Sequence, residues 1–142
     1  MPERDNSLKL DQQLCFPLYA AARKVVGAYT PLLRPLGLTY TQYLVLLVLW
    51  ERDGISVGTL GKRLHLDSGT LTPVLKRLQA SGLIERRRAA DDERVVTVFL
   101  TERGADLKAQ ARDIPERMQA CFDIAPDEAR ELYTILHHII DA

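Results

Sequence analysis

The stretch SVGTLGKRLHLDSGTLTPVLKRLQASGLIERRRAADDERVVTVFLTERG, residues 56–104, decides the fold. It opens on Ser56-Val57-Gly58-Thr59-Leu60-Gly61-Lys62-Arg63-Leu64, where Val57, Leu60 and Leu64 recur at helical spacing and predict a short helix with one inward stripe. Asp67-Ser68 then offers an N-cap for a second helix reaching about Ala80, with Leu71, Val74, Leu75 and Leu78 as its buried face and Pro73 near its start. Gly82 supplies the stop. Beyond it the pattern turns to that of strands. Leu83–Arg88 and Val95–Leu100 are β-type segments around a polar tip, Ala89–Arg94, and together read as a hairpin. Two short helices joined by a tight turn and followed by a two-stranded hairpin make a winged helix-turn-helix, over about residues 55–100.

The flanks are helical. A first helix is expected from about Gln13 to Ala28, with Leu14, Leu18, Ala21, Ala22, Val25 and Val26 on a broad stripe, before Pro31, Pro35 and Gly37 break the pattern. Thr39-Tyr40-Thr41 can cap a second helix, Gln42 to Arg52, whose LVLLVLW run is apolar almost all round and belongs in the middle of the fold. After the hairpin, a long helix from Thr101-Glu102 to about Met118 precedes a last one behind Pro126, with Leu132, Ile135, Leu136, Ile139 and Ile140 on one face. The expectation is a mainly α chain forming one winged-helix domain over residues 1–142. Residues 8–30 and 105–142 would be dimerisation helices, because the apolar stripes at the two ends need a partner and the central elements do not.

Composition narrows the class. A chain of 142 residues, 46% hydrophobic and 27% charged, can bury a core without disulfides or a structural metal. Its longest apolar run, Leu44–Trp50, is far short of the ~18 to 20 residues of a membrane span. Met1-Pro2-Glu3-Arg4-Asp5 lacks the profile of a secretory signal, so a cytoplasmic location is expected. Cys15 and Cys121 are too few for a disulfide scaffold or a four-ligand zinc site, and His65, His137 and His138 do not stand at ligand spacing. No metal and no cofactor are expected. Neither a phosphate-cradling glycine loop, a nucleophile elbow nor a paired-carboxylate arrangement occurs, which speaks against an enzyme.

Nineteen basic residues balance nineteen acidic ones, yet they are not evenly spread. Leu60–Arg94 carries eight basic residues against five acidic, whereas Ala105–Ala142 carries four against eight. The positive side therefore falls on the helix-turn-helix and wing, as an electrostatic footprint for DNA phosphates requires. Ser68, Gly69, Thr70 and Thr72 are small or polar groups at the start of the second short helix, fit to approach base edges. Lys76 and Arg77 can reach phosphate or guanine, and Arg86 adds charge on the wing. Arg94 at the wing tip suits a minor groove, with Asp92 fixing its guanidinium.

Asp92-Glu93-Arg94 followed by Leu100-Thr101-Glu102-Arg103-Gly104, in this order of elements, resembles the MarR family of bacterial transcription regulators. Leu14-Cys15-Phe16, Leu38-Thr39-Tyr40, Gln42-Tyr43-Leu44 and Leu66–Pro73 resemble its organic hydroperoxide regulators, the OhrR subgroup, from about Leu8 onward. The resemblance implies a homodimeric winged-helix repressor that leaves a double-stranded DNA operator when organic hydroperoxide oxidises a cysteine. A two-fold dimer places two recognition helices on half-sites about one DNA turn apart or a multiple of it, so the operator would be pseudo-palindromic.

Read by itself, Cys15 lies at or before the first turn of helix one, since Pro17 argues against a helix interior there. The positive end of the dipole favours thiolate, the form that peroxide attacks to give sulfenic acid. A small buried hydrophobe beside Leu14 and Phe16 fits the same residue. By the resemblance, Tyr29 and Tyr40 are the tyrosines that hydrogen-bond the reactive thiol. Fourteen residues of helix span roughly 21 Å, so Cys15 and Tyr29 cannot touch within one chain and could meet only across a dimer. Cys121 stands where some of these regulators carry a resolving cysteine, which would trap the sulfenate as a disulfide. An inert packing cysteine is the plainer alternative. Two other functions compete: a MarR-type repressor that binds a small aromatic ligand non-covalently, and a small thiol peroxidase using Cys15.

Overall fold

The computed structural model describes residues 7–142, so the expectation drawn from Met1–Asp5 lies outside the described residues. Helix α1 (Cys15–Leu33) starts two residues later than expected and has no side-chain cap at Leu14. Pro17 occupies its third position, where an N–H would have no intrahelical acceptor. The helix runs through Pro31, expected to break it, because a proline so near the end forfeits only the bond to the Gly27 carbonyl. A 3-10 turn, Arg34–Leu36, carries the chain to Gly37, whose φ of 70° ends the run. Helix α2 (Tyr40–Glu51) begins on a capping box: Gln42 N donates to Thr39 Oγ1 at 3.3 Å and Thr39 N donates to Gln42 Oε1 at 2.9 Å. Tyr43, Val45, Leu46, Val48 and Leu49 on α2 are buried, as its all-round apolar run predicts.

The decisive stretch folds as a winged helix-turn-helix with one strand more than expected. Strand β1 (Ile55–Ser56) leads into helix α3 (Val57–Leu64), capped by Ser56 Oγ, which accepts from Thr59 N at 3.1 Å. His65 closes α3 in the left-handed conformation, φ 55°. The turn is tight enough that a Cβ on Gly61 would stand 2.7 Å from the Leu66 carbonyl oxygen, so only glycine fits. Helix α4 (Ser68–Ala80) follows, with Leu71, Leu75 and Leu78 buried. Pro73 falls at its sixth residue, beyond the free N-terminal donors, and leaves the Gly69 carbonyl without its helical bond. Strands β2 (Ile84–Arg88) and β3 (Val96–Leu100) form the hairpin, paired from Ile84↔Leu100 to Arg88↔Val96. The sheet is three-stranded, in the order β1-β3-β2, because Ile55 and Ser56 pair with Val98 and Thr97. Two residues are too few to show an alternation in the sequence.

Helix α5 (Glu102–Ala111) is locked to the foot of the hairpin. Thr101 Oγ1 accepts from Gly104 N at 3.1 Å and donates to the Gly82 carbonyl at 2.7 Å. A Cβ on Gly104 would run into the Leu83 carbonyl. The expected long helix to Met118 is broken: α6 (Ile114–Ala120) starts afresh, because Pro115 lacks the N–H that would bond the Ala111 carbonyl. Helix α7 (Pro126–Ile140) follows. The chain forms two compact units, one ending at Arg112 and the other spanning Asp113–Ala142. In the first, Leu14, just before α1, and Leu18 on α1 are exposed; in the second, Leu132, Ile135, Ile139 and Ile140 on α7 are exposed. No single helix among the described residues is long and apolar enough to cross a membrane.

Candidate nucleic-acid interface and thiol site

Ser68, Gly69 and Thr70 are exposed at the start of α4, with Lys76 and Arg77 exposed further along. Asp67 Oδ1 accepts from Thr70 N at 2.7 Å, and this backbone bond holds the Asp67 carboxyl below its ordinary range. Thr72 is half-buried and donates its hydroxyl proton to the Ser68 carbonyl at 2.7 Å, so it has lone pairs and a methyl left to offer a base edge.

On the wing, Arg86 and Arg87 point to different tasks, because successive strand residues face opposite sides. Arg86 is half-buried and its Nε donates to Gln79 Oε1 of α4 at 2.9 Å. Arg87 lies on the other face, over the Phe99 ring at 4.7 Å and paired with Glu85 at 2.7 Å. Arg94 leaves 92% of its side chain exposed while Asp92 Oδ1 accepts from its Nε at 3.3 Å and its backbone N at 3.0 Å. One groove is lined by Thr72, Leu75, Arg86, Arg94, Val95 and Val96, together with Ser56–Gly58. It brings Thr72, Arg86 and Arg94 together between recognition helix and wing. Gln79 escaped the sequence reading, although it is polar and stands three residues beyond Lys76 on the same helix.

The thiol site is divided. Cys15 is exposed and is the first residue of α1. Tyr29, near the other end of α1, stacks against Tyr40 at the start of α2, with ring centroids 4.6 Å apart. Tyr43 completes the cluster at 5.7 Å from Tyr29 and 6.4 Å from Tyr40. Burial raises all three phenols above their ordinary value, and Tyr29 raises Tyr40 and Tyr43 further; like any phenol, these hydroxyls are protonated at neutral pH. Among the described residues, neither Tyr29 nor Tyr40 spends its hydroxyl on a hydrogen bond. The structure thus joins the two tyrosines and leaves Cys15 about 21 Å of helix away from Tyr29. Cys121 caps the C-terminus of α6, exposed, with Sγ 3.4 Å from the Arg117 carbonyl oxygen.

Known proteins are similar to this chain in sequence and in fold. Residues 28–111 match the family described as transcriptional regulator SarA/Rot. The organic hydroperoxide resistance transcriptional regulator of Bacillus subtilis (strain 168) is 44% identical over 99% of this chain and 96% of its own length. AbfR, from Staphylococcus epidermidis, has been solved on DNA in two forms. The overoxidised form is 35% identical, covers 97% of both chains and superposes with a TM-score of 0.79. The reduced form is 33% identical, covers 98% of this chain and 99% of the other, with a TM-score of 0.78. MarR itself is 25% identical over 89% of this chain and 96% of its own, with a TM-score of 0.71. By sequence, by fold and by the arrangement of recognition helix and wing, the chain belongs to the MarR family of winged-helix transcriptional regulators, in the group of the organic hydroperoxide resistance regulators.

Proposed function

We propose that this chain is a cytoplasmic, homodimeric DNA-binding repressor that senses organic hydroperoxide through Cys15 and then releases a pseudo-palindromic operator; it is a regulator and not an enzyme. The observation that carries this reading is the divided thiol site. An exposed cysteine opens one end of α1, and two stacked tyrosines with free donors stand at the other. Two copies related by a two-fold axis can bring one protomer's Cys15 to its partner's tyrosine pair; one copy cannot. The exposed apolar side chains of α1 and α7 supply the driving force for that pairing, at about 1.5 to 3 kcal/mol for each large side chain fully buried.

In the first step the Cys15 thiolate attacks the terminal oxygen of the hydroperoxide. The S–O bond forms as the O–O bond breaks, and the departing alkoxide takes a proton to leave as an alcohol. Sulfur is oxidised to the sulfenic acid and the peroxide is reduced. In the second, a thiol attacks the sulfenic sulfur and expels water, giving a disulfide; Cys121 is the resolving thiol in this account. AbfR is seen on DNA both reduced and overoxidised. Carried to this chain, that favours a disulfide, rather than further oxygenation of one sulfur, as the state that leaves DNA. On the DNA, Ser68, Gly69, Thr70 and Thr72 meet base edges, Lys76, Arg77 and Arg86 meet phosphate or guanine, and Arg94, steadied by Asp92, enters the minor groove.

Cumene hydroperoxide separates this function from its rivals when DNA binding, thiol count and peroxide consumption are followed with a thiol reductant present. A sensor loses DNA together with its thiols, stoichiometrically. Indifference of DNA binding to peroxide would mark a ligand-responsive regulator, and many turnovers would mark a peroxidase.

A further inference from the structure

We infer that Trp50 is the positioning residue that ties the Tyr29–Tyr40 pair to the foot of the wing, so that a change at the tyrosines is carried to the DNA-contacting elements. The inference rests on the sensor function proposed above. Tyr40, Tyr43 and Trp50 all lie on α2, and Tyr43 links them: its ring meets Tyr29 at 5.7 Å and, edge-on, Trp50 at 6.5 Å. Tilted and edge-on aromatic pairs have preferred geometries, so the row resists sliding within its packed surroundings. At the far end, Trp50 Nε1 donates to the Gly104 carbonyl oxygen at 2.9 Å.

Gly104 is the point where both wing strands meet the body of the molecule. It packs directly on the Leu83 carbonyl, one residue before β2, and Thr101, one residue after β3, donates its backbone N–H to that same carbonyl at 3.1 Å. Asp53 Oδ1, three residues beyond Trp50, accepts from Leu100 N at 2.8 Å and holds the last residue of β3 as well. The C-terminal end of α2 is therefore fixed to the foot of the hairpin, while its N-terminal end carries the tyrosines. The indole contributes both a ring that continues the row and an N–H that grips the foot. A phenylalanine there keeps most of the first and none of the second.

Trp50 is the one tryptophan in the chain, so tryptophan emission reports on the surroundings of this indole, Tyr43 and the foot of the wing. The experiment follows that emission, the free-thiol count and the affinity for a fluorescent duplex selected from a random pool by the reduced protein, before and after one equivalent of tert-butyl hydroperoxide. Wild-type emission should change in step with release of the duplex, and neither change should occur in Cys15→Ser. Trp50→Phe should lose its Cys15 thiol at the wild-type rate, while the ratio of oxidised to reduced dissociation constants falls about fivefold or more. Release from wild type with no change in Trp50 emission overturns the inference and leaves the sensor function standing. So does a folded Trp50→Phe protein that keeps the wild-type ratio. If Trp50→Phe does not fold, the wild-type emission decides. Wild type that loses the Cys15 thiol and stays on the duplex overturns the sensor function, and the inference with it.

Discussion

A phenol ordinarily ionises well above neutral pH and burial raises Tyr29 and Tyr40 further, so in the proposed sensor both hydroxyls are protonated and able to donate to the thiol. A hydroxyl donating to a thiolate makes a charge-assisted bond and orients the sulfur for attack on peroxide. Tyr40→Phe removes that donor and keeps the ring that stacks on Tyr29. Loss of about 1.4 kcal/mol from a hydrogen bond to a charged group slows the first oxidation about tenfold, measured as the rate of thiol loss. Duplex affinity of the reduced protein should be unchanged, since phenylalanine keeps the ring and Tyr40 is not among the residues proposed to meet DNA. A wild-type oxidation rate in Tyr40→Phe would remove the tyrosine from the thiol site. None of this was legible from spacing alone. Tyr29 and Tyr40 sit on different helices, and only the resemblance singled them out from five tyrosines.

At the scale of elements, the recognition helix rests on one cap. The Asp67 carboxyl is held below its ordinary value by the Thr70 N–H, so its contribution to stability is present above the unfolded value near 3.8 and is lost as pH falls through the lower, folded value. Asp67→Ala should therefore melt at a lower temperature than wild type at neutral pH, with the difference shrinking under acid conditions. A melting difference that stays constant from neutral to acid pH would show that the cap acts through something other than its charge. This helix was legible because an acceptor, a buried stripe and a glycine stop agreed within one short segment. The hairpin was legible for the same reason, to within a residue at each end. Contacts between distant segments were not. Pairing of Ile55–Ser56 with β3 and the bond from Trp50 to Gly104 join residues far apart in the chain, and no local periodicity encodes them. Pro31 and Pro115 show the same limit from the other side. One proline sits inside a helix and the other stands just past a break in what looked like a single long one, and the proline alone does not decide which, since Pro73 also sits inside a helix.

At the scale of the whole molecule, the proposed sensor needs a second copy of the chain to bring Cys15 to Tyr29 and Tyr40. The wing and recognition helix contain neither cysteine nor methionine, and the two cysteines stand at the first residue of α1 and at the C-cap of α6. In the proposed sensor, oxidation governs DNA binding by changing how the two protomers present their recognition helices and wings, with the Trp50 contact carrying the change within each. The most direct test is a titration of the protein on its selected duplex with tert-butyl hydroperoxide. Fluorescence anisotropy reports bound DNA, and intact mass with non-reducing electrophoresis reports the sulfur. Wild type should leave the duplex as one equivalent per protomer is consumed and should run as a disulfide-linked dimer. Cys121→Ser should lose its Cys15 thiol without forming that dimer. Cys15→Ser should bind the duplex as wild type does and remain on it throughout. Release of Cys15→Ser by the same dose of hydroperoxide would contradict the account, because the signal would then enter the protein somewhere other than Cys15.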